Sequence, residues 1–337
     1  MSVVMPVFNA ERWIHEAIRS IRNQTLADFE FIIVDDGSTD ASESIIADAA
    51  GSDGRIHALR QTHYGVVAAL NKGMAVARAK YIARIDADDV AEENRLELQR
   101  VFLESNPDVA ALGTWATIID EQGSKIGELK PQTDRRFLDA QLKRQNPFIH
   151  ASMMFSTELM RQLGGYRDQL EGAEDYDLWL RMSERGWLAN LAAFLLRHRR
   201  HLGSTSSAHS KKQLLAARLS RMSAARRRSS MPDFVSQLRA PIDPRHLLEV
   251  DELRGTGQFY SMLLRAPEDV MESGLLTCLH NLQIDHAERK AAQIWLHQAF
   301  KKNKSTAFRI RALFWLFYLH PSRAFSLVLS HFKRSDS

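Results

Sequence analysis

The sequence predicts an α/β protein, a mainly parallel sheet flanked by helices, with a mostly helical C-terminal extension. Three observations carry this. The first 120 residues alternate short apolar runs with amphipathic stretches. The apolar runs are continuous, as strands covered on both faces require. Acidic residues gather where those strands would end, which is where open α/β sheets bind ligands.

The elements follow in chain order. "SVVMPVF" (2–8) reads as a strand and "AERWIHEAIRSIRNQ" (10–24) as an amphipathic helix. "FEFIIVDD" (29–36) and "RIHALRQ" (55–61) are strands followed by the helical "DASESIIADAA" and "VVAALNKGMAVAR". "KYIARID" (80–86) precedes the helical "AEENRLELQRVFLESN". Further on, "VAALGTWATII" reads as a strand, "RRFLDAQLKRQ" as a helix and "ASMMFS" as a strand. "EDYDLWLRMSERG" reads as a helix stopped by Gly186, followed by the apolar "WLANLAAFLLRHRR", whose type the pattern leaves open. From about residue 205 the chain turns basic and helical, and it is broken by Pro232, Pro241 and Pro244. Residues 245–332 continue mostly helical.

Composition narrows the class. The 337 residues hold one cysteine, Cys278, which rules out an intramolecular disulfide and fits a reducing compartment. "MSVVMPVFNA" lacks the charged and apolar regions of a signal peptide and reads as structure. The net charge of +4 hides an asymmetry: residues 1–190 carry 30 acids against 21 bases, and residues 191–337 carry 11 against 24. The two halves are therefore expected to meet different partners.

The predicted strand ends bring together Pro6 to Asn9, Asp35 with Asp36, and Asp86 with Asp88. No G-x-G-x-x-G follows the first strand and no Walker-type loop occurs, so the chain lacks a glycine-rich phosphate cradle. A diphosphate would then need another counter-charge. Asp86 and Asp88, roughly 7 Å apart on an extended chain, repel by about 2 kcal/mol at an effective dielectric near 20. A hard cation such as Mg²⁺ or Mn²⁺, arriving with phosphate oxygens, would relieve that repulsion. Asp89 stands three residues before Glu92, a capping-box spacing, and is expected to cap the next helix. In "DDGSTD", Ser38 or Thr39 is expected to serve as a turn and helix cap.

In order along the chain, "SVVMPVFNAERWIHEAIRSIRNQT", "FEFIIVDDGSTD", "YIARIDADD", "NPFIHASMMF", "GGY" and "AEDYDLWLR" resemble the family 2 inverting glycosyltransferases of the bacterial surface-polysaccharide type. The resemblance covers roughly residues 1–205 and implies the A-type (GT-A) nucleotide-sugar fold. It implies a nucleotide-sugar-binding half over 1–120 and an acceptor-side half over 121–205, with 206–337 as a separate basic region. "MPVFN" matches the segment lining the nucleobase pocket, so Pro6, Phe8 and Asn9 are implied donor contacts, with Phe8 against the base. "VDDGS" implies that Asp36, with Asp35 beside it, meets the base edge; uridine diphosphate is the implied nucleotide. "DAD" implies Asp88 as metal ligand and Asp86 as ribose or metal contact. "LNKG" stands where many members carry an arginine, and Leu70 there departs from the pattern; Lys72 remains as a donor-side candidate. "ED" implies Asp175 as the base that deprotonates the acceptor hydroxyl, with Glu174 orienting it or meeting the acceptor. His150 and Trp179 are acceptor-side candidates. For Trp179 and Leu180 the structural alternative is the core, for Asp177 a helix N-terminus, and for Arg181 an ion pair. His198, His201 and His209 form no recognisable metal-ligand pattern.

Lys211, Lys212, Arg218, Arg221, Arg226, Arg227 and Arg228 crowd one helical stretch, and Lys301, Lys302, Lys304, Arg309 and Arg311 precede "ALFWLFYL". That run is far below the roughly 20 residues that span a bilayer. Two expectations fit it: docking on an anionic membrane surface through Trp315, Phe317 and Tyr318, or a helical tail with a solvated charged face. The first suits a lipid-linked saccharide acceptor at the cytoplasmic face. Nucleic acid is not an expected partner. The rival classes are a non-catalytic nucleotide-sugar-binding or scaffold protein on the same fold and a sugar nucleotidyltransferase. Loss of "DAD" or "ED" would mark the first and a glycine- and basic-rich N-terminal loop the second, and the chain shows neither.

Overall fold

The computed structural model describes residues 1–201, 211–240 and 286–302, together with Ile242, Asp243, Arg245, Leu247, Leu253, Thr256 and Tyr260. Strands β1 (Ser2–Val7), β2 (Glu30–Asp35), β3 (Ile56–Arg60) and β4 (Tyr81–Arg84) alternate with helices α1 (Ile14–Arg22), α2 (Ser42–Ser52) and α3 (Val66–Val76). They pair in parallel in the order β3-β2-β1-β4. Every residue of β1 is buried, as a central strand covered on both faces demands. Helix α1 shows why its sequence is helical: Ile14, Ala17, Ile18 and Ile21 fall on one buried face.

Beyond β4 the sheet becomes mixed. Short β5 (Val90–Ala91) and helix α4 (Arg95–Ser105) lead to the long β6 (Val109–Ile119), which turns back into β7 (Lys125–Leu129). Helix α5 (Arg135–Leu142), β8 (Met154–Ser156), α6 (Thr157–Gln162) and α7 (Glu174–Met182) follow. "WLANLAAFLLRHRR" resolves into β9 (Trp187–Arg199), parallel to β6 and antiparallel to β5. Strand β8 lies antiparallel between β4 and β6 and joins the two halves into one sheet.

Two capping expectations are corrected. Helix α2 has no side-chain cap; Ser38 Oγ instead accepts from the Asn9 amide at 3.0 Å, tying the β1 and β2 loops together. Asp89 does not cap α4, whose N-cap is Asn94. Its carboxylate turns the other way, fully buried, and accepts from the Arg199 amide at 2.8 Å.

Helices α8 (Lys211–Arg228) and α9 (His286–Lys302) lie in the basic region. Cα packing groups residues 1–208 and 219–233 in one unit and 209–218 and 234–337 in another. In the first unit Arg227 pairs with Glu184 at 2.9 Å and with Asp233 at 2.7 Å, and Asp233 also holds Arg167 at 2.7 Å. In the second, Ala292, Trp295 and Leu296 of α9 are buried, and Glu288 accepts from Tyr260 and pairs with Arg218. Among the described residues no helix is long and apolar enough to cross a membrane. "ALFWLFYL" and the residues named around it from Lys304 onward lie outside the described residues, as do His209 and Cys278.

Candidate active site

The strand order reverses at β1, with β2 on one side and β4 on the other, so the carboxyl ends of β1, β2 and β4 open onto one crevice. Pro6 lies in β1 beyond its pairing with β4, so its missing N–H forfeits no ladder bond on that side. Phe8 follows, 45% exposed, with the His63 ring stacked on it at 4.0 Å. Asn9 adopts a positive φ of 48° and accepts from the Thr39 amide at 2.8 Å.

The "DDGS" residues build the wall behind that ring pair. Asp36 is buried, and its carboxylate accepts from the Tyr64 and Gly65 amides at 2.9 Å each and from Gln61 Nε2 at 2.7 Å. His63 Nδ1 lies 2.9 Å away. Asp36 thus holds the 61–65 loop that carries His63. Gly37 is required here: its φ is +76°, and a Cβ would come within 2.9 Å of the His63 nitrogen. Asp35 accepts from the Ser38 amide through Oδ1, while its buried Oδ2 has no hydrogen-bond partner and faces Arg60 Nε at 3.7 Å. Lys72 reaches the same rim, donating to the Arg60 carbonyl at 2.6 Å; Leu70 is core.

At the end of β4 the chain turns, the Asp89 amide donating to the Asp86 carbonyl at 3.3 Å, rather than running on extended. Oxygens of Asp86, Asp88 and Asp89 come within 4.8 Å of one another. Burial and the neighbouring carboxylates push Asp86 up to about 6, against the pull of Arg84, its ion-pair partner. Asp88 is also raised, by burial and by Asp89. His201 Nε2 lies 3.0 Å from Asp88 Oδ2, its ring placed by Trp13 at 4.2 Å. Beneath them Arg199, 1% exposed, donates to the Asp88 and Asp120 carbonyls and pairs with Glu16 at 2.6 Å. Asp89 also holds His198; burial lowers that imidazole, but the Asp89 bond and charge together with Asp86 and Asp88 outweigh it, and its pKa rises.

The second acid pair starts α7. Burial raises both groups, Glu174 to about 7 with Asp175 as second cause. Glu174 accepts from the Gly172 amide at 2.6 Å. Asp175 accepts from Asn146 Nδ2 at 2.7 Å and from the Tyr176 amide at 2.6 Å. The Phe148 amide donates to Asn146 Oδ1, which fixes the amide group that faces Asp175. His150 bonds the Tyr166 hydroxyl at 2.7 Å, and burial, then Arg84, keeps it well below its ordinary value, hence neutral. Burial raises Tyr166, which also feels Arg84, Asp175, Glu174 and Asp86; Asp86 and the Glu174–Asp175 pair thus surround one buried phenol and one guanidinium.

Trp179 does not face an acceptor. It is fully buried, edge-on to His150 at 6.0 Å, and supports the floor. Asp177 is more than a helix-start acid: fully buried, it pairs with Arg181 at 2.8 Å and with Arg167. Arg84, Asn146 and Tyr166 lie inside the motifs "YIARIDADD", "NPFIHASMMF" and "GGY" but carried no role there, and His201 showed no ligand pattern; His63 and Arg199 were not singled out. "LRHRRH" after an apolar run is a polar strand end like those of β2 and β4.

Residues 2–164 match the profile of Glycosyl transferase family 2. An uncharacterized glycosyltransferase of Methanocaldococcus jannaschii is 36% identical over 204 residues, 59% of this chain and 70% of that one. The chain belongs to glycosyl transferase family 2. Two solved structures share the fold at low identity. S. aureus TarS 1–349 in complex with UDP-GlcNAc has a TM-score of 0.53 at 15% identity, over 97% of this chain and 83% of that one. The mannosyltransferase PcManGT from Pyrobaculum calidifontis, in complex with GDP-Man and Mn²⁺, has a TM-score of 0.50 at 16% identity, over 94% and 86%.

Proposed function

We propose that the chain is a metal-dependent inverting glycosyltransferase. It moves a sugar from a nucleoside diphosphate sugar, UDP-sugar by preference, to a hydroxyl of a saccharide or lipid-linked saccharide. The observation that carries this is the meeting of Asp86, the carboxylate neighbour of Asp88, with the pair Glu174 and Asp175 around Arg84 and Tyr166 at the switch point of the sheet. The nucleotide sugars bound in the TarS and mannosyltransferase complexes support the donor class.

The residues present fit a hard divalent cation. Three carboxylates crowd together, and burial and one another raise Asp86 and Asp88, a hard oxygen donor set of the kind such a cation takes. Asp86, Asp88 and His201 would hold Mg²⁺ or Mn²⁺. When bound, such an ion offsets the charge of a departing diphosphate.

The chain's own groups divide the remaining work. Phe8, with His63 stacked on it, offers a flat ring face for a nucleobase, and Asp36 with Asp35 beside it stands at the base edge. Asn9 and Lys72 complete the donor rim. Asp175 takes the acceptor proton as the hydroxyl attacks from the side opposite the leaving group, with Asn146 and the Tyr176 amide orienting its carboxylate. Glu174, raised to about 7 by burial and by Asp175, shares the site as its neighbour. Neutral His150 anchors Tyr166 on the acceptor side.

The test is a thermal-shift screen of nucleoside diphosphates and nucleotide sugars with and without Mn²⁺, followed by donor-consumption assays. Stabilisation by uridine nucleotides only with the ion is expected. Indifference to every nucleotide under both conditions removes the proposal.

A further inference from the structure

We propose that the outward face of α5 is a docking surface for an anionic lipid bilayer. Leu138 and Leu142 are buried, whereas Arg136, Phe137, Ala140, Lys143 and Arg144 are exposed, at the three- and four-residue spacings of one helix side. Phe137 keeps 66% of its surface in water. Among the described residues no carboxylate pairs with Arg136, Lys143 or Arg144. On helix α8, the basic stretch that the sequence points to, part of the charge is used internally: Arg227 pairs with Glu184 and Asp233, and Arg226 donates to the Pro232 carbonyl.

Helix stability does not account for these cations. The first turn of α5 holds two arginines and no acid, against the preference of the helix dipole. The Asp134 carboxylate at the cap is engaged by the Arg136 and Phe137 amides. Beside the helix, a groove of about 640 Å³ is lined by Arg135, Lys143, Trp187 and Arg228, with the Arg135 guanidinium 5.0 Å from the Trp187 ring. Its acids are Asp139 and Glu184, the latter already paired with Arg227. A protruding phenylalanine ringed by cations suits a bilayer interface: the ring enters the acyl boundary and the cations meet headgroups. A lone exposed ring offers no ladder on which successive nucleic-acid bases could stack.

Arg144 is two residues from Asn146, so docking would set the acceptor side of the crevice at headgroup level. That consequence rests on Asp175 as base; the docking does not, and vesicle binding is read without any transfer assay.

The full-length protein is to be sedimented at low salt with phosphatidylcholine vesicles, with and without phosphatidylglycerol. Binding to the anionic vesicles alone is expected. It should weaken at least about tenfold in Arg136→Glu/Lys143→Glu/Arg144→Glu and become more salt-sensitive in Phe137→Ser. An unchanged melting temperature certifies each variant, and Arg144→Glu alone carries the test if the triple variant fails to fold. Failure of the wild type to bind, or wild-type binding by the folded variants, overturns the proposal. So does equal binding to both vesicle types, or a DNA oligonucleotide that displaces the vesicles.

Discussion

The Asp175 carboxylate is half-buried, and two donors hold it: Asn146 and the amide that follows it. Burial raises its pKa while those donors lower it. Asp175→Asn should keep donor affinity in calorimetry and lower turnover by about 10²–10⁴-fold; substantial retained turnover would place the base elsewhere. Asn146→Ala removes a hydrogen bond to the charged form, so the pKa of Asp175 rises further. The acid limb of the pH–kcat profile should move to higher pH, and an unmoved limb would deny Asn146 that role. Asp88→Asn should abolish Mn²⁺-dependent donor binding, whereas calorimetric affinity unchanged by the substitution would remove Asp88 from the metal set. Glu174 gives a stability prediction. Its pKa in the fold, about 7, lies above the ordinary 4.5. Well below 4.5 it is protonated in both folded and unfolded chains and makes no difference. As pH rises from there through 7 the unfolded chain releases its proton first, and stability falls. Glu174→Gln should therefore leave the melting temperature unchanged near pH 4 and raise it near pH 8, by up to about 3 kcal/mol in stability.

At the scale of elements, each motif turns out to be a junction between segments. "DDGS" joins β2 to the 61–65 loop through Asp36, and Gly37 makes room for that loop. Gly37→Ala forces a side chain into a left-handed backbone position against the His63 nitrogen. It should cost about 1–3 kcal/mol in urea unfolding and weaken nucleotide binding as His63 moves off Phe8. The helices and long strands were legible because their apolar spacing reports which face is buried, as α1 and β1 show. β5 and β7 were not. A two-residue strand has no period, and β7 is largely exposed along its length, so neither leaves an apolar run. Asp89 misled for a related reason. Its spacing to Glu92 is that of a cap, but a partner 110 positions away, the Arg199 amide, claims its carboxylate.

For the whole molecule, the acidic front places Asp86 and Asp88 at the strand ends, where burial and neighbouring carboxylates raise both. Donor binding should therefore be linked to divalent ion. Saturating nucleotide, at about 100 times its Kd, would add roughly 2.7 kcal/mol of stability, and chelation with EDTA should erase that gain. A stabilisation that survives chelation would show that the nucleotide binds without the ion. The sequence by itself determined the α/β class, the order of the main elements and the acids at strand ends, because burial periodicity and strand-end position are local properties. It also determined the family, since "DDGS", "DAD" and "ED" stand in order along one chain. Only the tertiary structure decided which side chains meet. His201 beside Asp88, Asn146 against Asp175, the burial of Trp179 and the internal pairing of Arg227 all depend on contacts between distant segments. Such contacts follow from sheet order and packing, which leave no period in the sequence to read.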